Sequence, residues 1–199
     1  MTGDWGAGSR VHRRKPVRIS EIARTGITGA GYSKLLLAIV NYYQCRTVIE
    51  LGTSLGLNTL YLSRGDYVNR ILTFEGNPAL AEIAEKIFTS HTEKDIQLIR
   101  GNIDHTLLDT LKQTGQIDFV YLDANHTREA TLRYFNQLRP FLSDRSILVF
   151  DDIYWSSGMT DAWKRISRQS GQNLCLDLFR AGILVFVKNA PEGYFRLAF

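Results

Sequence analysis

Short, β-branched apolar runs alternate along this chain with segments whose apolar residues recur every three to four positions. Five of the runs, Thr47–Leu51, Arg70–Glu75, Ile96–Arg100, Ile117–Leu122 and Ser146–Phe150, are nearly continuous in apolar character. That is the pattern of strands covered on both faces. Helical spacing fills the intervals. One helix runs through Leu35, Leu36, Ile39, Val40 and Tyr43 with Ser33 as its expected cap, and a second through Leu57, Leu60 and Tyr61. A third starts at Asn77-Pro78, with proline suited to the first helical position. A fourth passes through Leu107, Leu108 and Leu111 with Asp104 as its expected cap, a fifth ends at Pro140, and a sixth surrounds Ala162, Trp163 and Ile166. Leu174–Phe179 and Ile183–Val187 are separated only by Arg180-Ala181-Gly182. No crossover helix fits in that link, so this pair is expected to be antiparallel. Five β/α repeats closed by a reversed hairpin make an α/β fold with a mostly parallel sheet.

Length and composition agree. The chain has 199 residues, 44% of them apolar and 22% charged, enough for one globular core. Its longest apolar run, Leu35–Val40, is far short of the roughly 20 residues that cross a bilayer. The opening MTGDWGAGSR has no apolar signal stretch, and Cys45 and Cys175 lack metal-type spacing. These features lead to the expectation of a cytoplasmic protein with no membrane partner. A formal net charge of +4 suggests a polyanion partner until the charges are located. Arg10, Arg13, Arg14, Lys15 and Arg18 are five of the 24 basic residues, and Asp4 is the one acid before Ile19. The remainder therefore holds 19 basic and 19 acidic residues. The expected organisation is a basic arm over residues 1–31, with a short helix near Ile19 to Ala23, and a single neutral domain over 32–199.

Open α/β sheets bind ligands outside the carboxyl ends of their strands. The first such end is Glu50-Leu51-Gly52-Thr53-Ser54-Leu55-Gly56, an acid-x-Gly-x-x-x-Gly turn opening a helix. Its glycines let the backbone pass close to a ligand, and free amides at the helix start can bond it. Neither the Gly-x-Gly-x-x-Gly fingerprint nor a phosphate-loop lysine is present. Strand two ends in Glu75-Gly76, where an acid can accept from both hydroxyls of a ribose. Strand three ends in Gly101-Asn102-Ile103-Asp104, where a polar side chain and an exposed amide suit an adenine.

Together these residues resemble the class I S-adenosylmethionine-dependent methyltransferases over about residues 33 to 188. The resemblance implies a Rossmann-like seven-stranded sheet, order 3-2-1-4-5-7-6 with strand 7 antiparallel and helices on both faces. It also implies that Glu50, Gly52, Thr53, Ser54, Gly56, Glu75, Gly76, Asn102, Ile103 and Asp123 hold S-adenosylmethionine.

The acceptor side is carried by Asp123-Ala124-Asn125-His126 after strand four and Asp151-Asp152 after strand five. Neighbouring strands lie about 4.8 Å apart, so their terminal carboxylates would converge and require neutralising. A hard divalent cation such as Mg²⁺ does this with oxygen ligands. Successive strand residues face opposite ways, so Asp151 and Asp152 can both meet an ion only where the strand has already ended. This pattern looks like that of the metal-dependent O-methyltransferases, and its Asp-x-x-His form resembles the macrolide-sugar enzymes. The resemblance implies Asp123, Asp151 and Asp152 as Mg²⁺ ligands and His126, with Asp123, as the catalytic pair. Tyr154, Trp155 and Met159 follow as candidate walls of an acceptor pocket, with Met159 and Trp163 four apart and at least one of them core.

The expected function is methyl transfer to a hydroxyl of a small molecule, with a homodimer as a partner state left open. Two alternatives stand beside it, a nucleic-acid methyltransferase and an inactive S-adenosylmethionine-binding module. Against the former, Asp123-Ala124-Asn125-His126 does not match the Asn/Asp-Pro-Pro-aromatic sequence of amino-methylating enzymes.

Overall fold

The computed structural model describes residues 29–169 and 174–198. The expected basic arm, and the short helix expected near Ile19 to Ala23, fall outside the described residues, apart from Gly29 to Gly31. The chain divides into two compact units, Met1–Thr106 and Leu107–Phe199.

The first unit contains α1 (Ala30–Tyr42), β1 (Thr47–Leu51), α2 (Leu57–Ser63), β2 (Arg70–Glu75), α3 (Pro78–His91) and β3 (Asp95–Arg100). Its strands lie in the order β3-β2-β1. Both pairings are parallel, with Leu51 opposite Phe74 and Glu75 opposite Arg100. Val48, Ile49, Leu51, Ile71, Leu72 and Phe74 have no exposed surface, as the unbroken apolar runs required. One cap differs from expectation. Gly29, not Ser33, stands at the start of α1, and Ser33 is buried inside the helix. Asn77 caps α3 as expected, its side chain accepting from Ala79 and Leu80.

Helix α4 (Ile103–Thr114) leads into the second unit, which holds β4 (Ile117–Leu122), α5 (Arg128–Leu138), β5 (Leu142–Phe150), α6 (Ser157–Gln169), β6 (Leu174–Asp177), β7 (Gly182–Val185) and β8 (Gly193–Arg196). Asp104 lies inside the first turn of α4. Asn102 Oδ1 accepts from the Asp104 amide at 2.9 Å and so takes the capping part expected of Asp104. Strands follow the order β4-β5-β7-β6-β8. β4 and β5 are parallel, while β7 is antiparallel to both β5 and β6, the reversed hairpin expected. The order 3-2-1 in one unit and 4-5-7-6 in the other is thus the one the resemblance implied. β8, parallel to β6, is an addition. Gly182 opens β7 beneath the ring of buried Trp163, and a Cβ there would run into that ring.

Candidate active site

In the first unit the turn after β1 is bent by three residues in the left-handed region, Gly52 (φ 105°), Ser54 (φ 51°) and Gly56 (φ 77°). Serine adopts this region at a cost, a mark of a backbone held for a purpose. What holds it is chiefly Glu75. Its Oε2 accepts from the Ser54 amide at 2.8 Å and its Oε1 from the Asn77 amide at 2.7 Å. One half-buried carboxylate thereby ties the turn after β1 to the turn after β2.

The amides expected to be free for a ligand are largely engaged. Gly52 and Thr53 donate to the Phe74 carbonyl and Gly56 to the Thr53 carbonyl. Two side chains assigned to the ligand also turn inward. Thr53 is buried, with its hydroxyl 2.6 Å from that of Thr73. Glu50 has 0% exposure and accepts from Asn58 Nδ2 (2.9 Å), the Thr59 hydroxyl and the Thr73 hydroxyl (2.7 Å). A buried carboxylate without such donors would be too costly to keep charged. Glu50 therefore braces the turn from inside the core. Asn102 caps α4, and the Ile103 side chain is buried, which leaves backbone as what that pair can present. Gly76 is half-buried between Glu75 and Asn77.

Gly56 is doubly constrained. Beyond its positive φ, a Cβ there would lie 2.5 Å from Phe88 Cε1 and 2.8 Å from its Cζ. Phe88 is itself buried. Gly56→Ala is expected to cost about 2 to 3 kcal/mol of stability from strain and overpacking together, read from urea unfolding.

In the second unit β4 ends at Leu122 opposite Phe150 of β5. Asn125 (φ 48°) and Asp152 (φ 52°) then take the left-handed region, so both strands end where the acids begin. His126 Nε2 stands 3.3 Å from Asp123 Oδ1, with the two side chains 23% and 26% exposed. Thr127 caps α5 behind them by accepting from the Ala130 amide.

Burial raises the Asp123 carboxyl pKa, His126 draws it back, and the nearby Asp151 charge raises it again; the net direction is up. Burial lowers that of His126, but Asp123, Asp152 and Asp151 outweigh it and leave the imidazole above its ordinary value. Asp152 is raised by burial and by Asp151, against the lowering charges of His126 and Arg180.

Asp151 does something different. It is buried, and Arg180 grips it with Nε on Oδ1 and Nη2 on Oδ2, both at 3.1 Å. The Tyr121 hydroxyl donates to Oδ2 at 2.7 Å and the Asp152 amide to Oδ1 at 2.9 Å. The Mg²⁺ set expected from Asp123, Asp151 and Asp152 is consequently not assembled. Among the described residues no group of three or more His, Cys, Asp or Glu side chains is placed to hold a metal ion. The physical reason is that Asp151 is committed to a guanidinium and Asp123 is paired with His126.

The expected pocket wall also separates. Trp155 is 45% exposed, with its ring centroid 6.4 Å from that of His126. Tyr154 donates at 2.6 Å to Asp177, a carboxylate with no exposed surface. Met159 is buried near the Thr131 hydroxyl, and Trp163 is core as well. Asp177 was passed over in sequence as one residue of an apolar strand. It also receives the Tyr194 hydroxyl (2.7 Å) and Arg196 Nε (3.1 Å), so β8 is what secures the Tyr154 loop. Burial pushes the Asp177 carboxyl up, but these donors together with the Phe179 amide pull it below the usual carboxylate range.

The strand order, with β7 reversed between β5 and β6, is that of the Rossmann-like methyltransferase fold. The chain belongs to the methyltransferase domain family, whose model matches residues 49–153. It is 26% identical over 144 residues to a catechol O-methyltransferase of Mycobacterium tuberculosis, covering 70% of this chain and 62% of that one. It is 32% identical over 110 residues to O-methyltransferase hkm8 of Aspergillus hancockii, covering 54% and 42% respectively. The chain thus spans less than two thirds of the length of these relatives. Among solved structures, the SAH-bound methyltransferase PaMTH1 of Podospora anserina superposes with a TM-score of 0.71 at 16% identity, over 85% of this chain and 86% of that one. This likeness supports the Rossmann-like methyltransferase fold.

Proposed function

We propose that the chain transfers a methyl group from S-adenosylmethionine to a hydroxyl of a small acceptor. The observation that carries this reading is the Asp123–His126 pair at the end of β4 in a chain of the methyltransferase family. The named relatives, both O-methyltransferases, support the choice of oxygen as acceptor.

S-adenosylmethionine supplies an electrophilic methyl on a sulfonium; the O–CH₃ bond forms as the S–CH₃ bond breaks and its electron pair returns to sulfur. The residues of the first unit fit such a group by chemistry. Glu75 offers a half-buried carboxylate suited to a ribose diol, backed by Gly52, Ser54, Gly56 and Gly76, with the Asn102-Ile103 backbone for the base. In the second unit Asp123 accepts from His126 Nε2–H and so fixes the tautomer, leaving Nδ1 with a lone pair. An acceptor hydroxyl loses its proton to Nδ1 as its oxygen attacks. Asp123 then steadies the imidazolium.

No helix among the described residues is long and apolar enough to cross a membrane. A reducing, cytoplasmic setting with Cys45 and Cys175 as free buried thiols belongs to the same reading.

Isothermal titration with S-adenosylmethionine tests the cofactor assignment. Glu75→Ala is expected to weaken binding by roughly tenfold to a hundredfold, the worth of one charge-assisted bidentate contact. Wild-type chain that binds neither S-adenosylmethionine nor its demethylated product would sink the proposal.

A further inference from the structure

We infer that the positive charge answering Asp151 and Asp152 beyond β5 is the Arg180 guanidinium, and that methyl transfer by this chain needs no divalent metal. The inference rests on the O-methyltransferase reading above and concerns how its acidic site is neutralised.

The first ground is saturation. A carboxylate offers about four lone-pair positions, and all of those on Asp151 are taken. Oδ1 accepts from Arg180 Nε and the Asp152 amide, and Oδ2 from Arg180 Nη2 and the Tyr121 hydroxyl. A metal ion would have to break a two-pronged, charge-assisted contact to a side chain that has 0% exposure.

The second ground is that Arg180 is placed by its backbone. Its amide donates to the Leu178 carbonyl at 2.7 Å, and its carbonyl accepts from the Ile153 amide at 3.1 Å. The hairpin turn is thus fastened to the loop that follows Asp151 and Asp152, and Phe179 beside it adopts φ 63°. The backbone is thereby held next to the loop after Asp151, and the guanidinium is seated by its two contacts to that carboxylate. The third ground is Asp123, which the second unit pairs with His126.

The arrangement also selects an acceptor class. Without a Lewis acid, proton removal falls to His126, paired with Asp123 after β4. Phenolic and similarly acidic hydroxyls suit such a base, and aliphatic sugar hydroxyls, far weaker acids, do not.

The test is a Mn²⁺ titration of the full, metal-stripped chain with S-adenosylmethionine present, followed by electron paramagnetic resonance, for wild type and Arg180→Met. Turnover of a panel of phenols and sugars is measured in EDTA and after added Mg²⁺. Wild type is expected to show no bound Mn²⁺ at millimolar concentration and undiminished turnover of phenols in EDTA. Arg180→Met frees Asp151 and is expected to tighten Mn²⁺ roughly tenfold or more. Bound Mn²⁺ in wild type that is lost in Asp151→Asn, or turnover abolished by EDTA and restored by Mg²⁺, overturns the inference. So does a folded Arg180→Met that binds Mn²⁺ no better than wild type. Should that variant fail to fold, the wild-type spectra and the EDTA series decide alone. Absence of S-adenosylmethionine binding is a separate result that strikes the methyltransferase reading itself.

Discussion

Replacement of His126 by alanine is expected to lower kcat about 10²- to 10⁴-fold, the usual contribution of a positioned base. The affinity for S-adenosylmethionine should be almost unchanged, because the substitution leaves Glu75 and the turns after β1 and β3 intact. The pH dependence makes the assignment sharper. Burial alone would push the imidazole pKa down, but Asp123 and the charges of Asp152 and Asp151 raise it above its ordinary value. Turnover requires the unprotonated base, so activity should rise with pH and level off above the ordinary imidazole range. The linkage to stability has the opposite sign. A raised folded-state pKa contributes stability that is complete below the unfolded value and fades as pH rises through the folded one. The protein should therefore lose this small stabilisation over the same interval in which it gains activity. Asp123→Asn removes the strongest raising partner and should move the kcat profile toward lower pH, measurable with the same assay.

The largest structural effect is expected at Glu50. Glu50→Ala would leave Asn58 Nδ2 and the Thr59 and Thr73 hydroxyls without their acceptor inside a closed core. At about 1 to 3 kcal/mol for each orphaned buried group, with some relief from hydroxyl rotation, the loss should reach roughly 3 to 5 kcal/mol. Urea unfolding reads it directly. Glu50→Gln keeps an acceptor oxygen for part of the set and should cost distinctly less. A loss for Glu50→Ala below about 1 kcal/mol would mean that the carboxylate is not bracing the turn.

Much of this was legible in the chain, and the failures have definite causes. β1, β2, β4 and the second half of β5 could be read because strands covered on both faces are largely apolar, while β3, with no buried residue, showed itself by β-branched and apolar content between turn signals. β8 could not, since all four of its residues are exposed and no face of it carries a pattern. The inward turn of Glu50 and Thr53 was hidden for the opposite reason. Every residue of β1 from Val48 to Leu51 is buried, so alternation gives no sign of which polar side chain faces a ligand.

The Asp123, His126, Asp151 and Asp152 positions were visible in sequence because strand ends collect polar residues where ligands bind. Their partners were not. Arg180 served in the sequence only as a spacer in a short hairpin, yet it reaches Asp151 across 29 positions. Local spacing names the acids; which cation answers them is settled by a contact between distant turns. Asp177 illustrates the same limit, its donors coming from Tyr154, Tyr194 and Arg196 on two separate segments.

The most direct measurement of the central claim is transfer itself. The chain is incubated with S-adenosylmethionine carrying an isotopically labelled methyl and with catechol, the acceptor named for one relative, and the products are resolved by mass spectrometry. Labelled O-methyl catechol, formed by wild type and almost absent with His126→Ala, is the predicted result. Label on nitrogen or carbon of any acceptor in place of oxygen, or equal yields from the two proteins, would contradict the account.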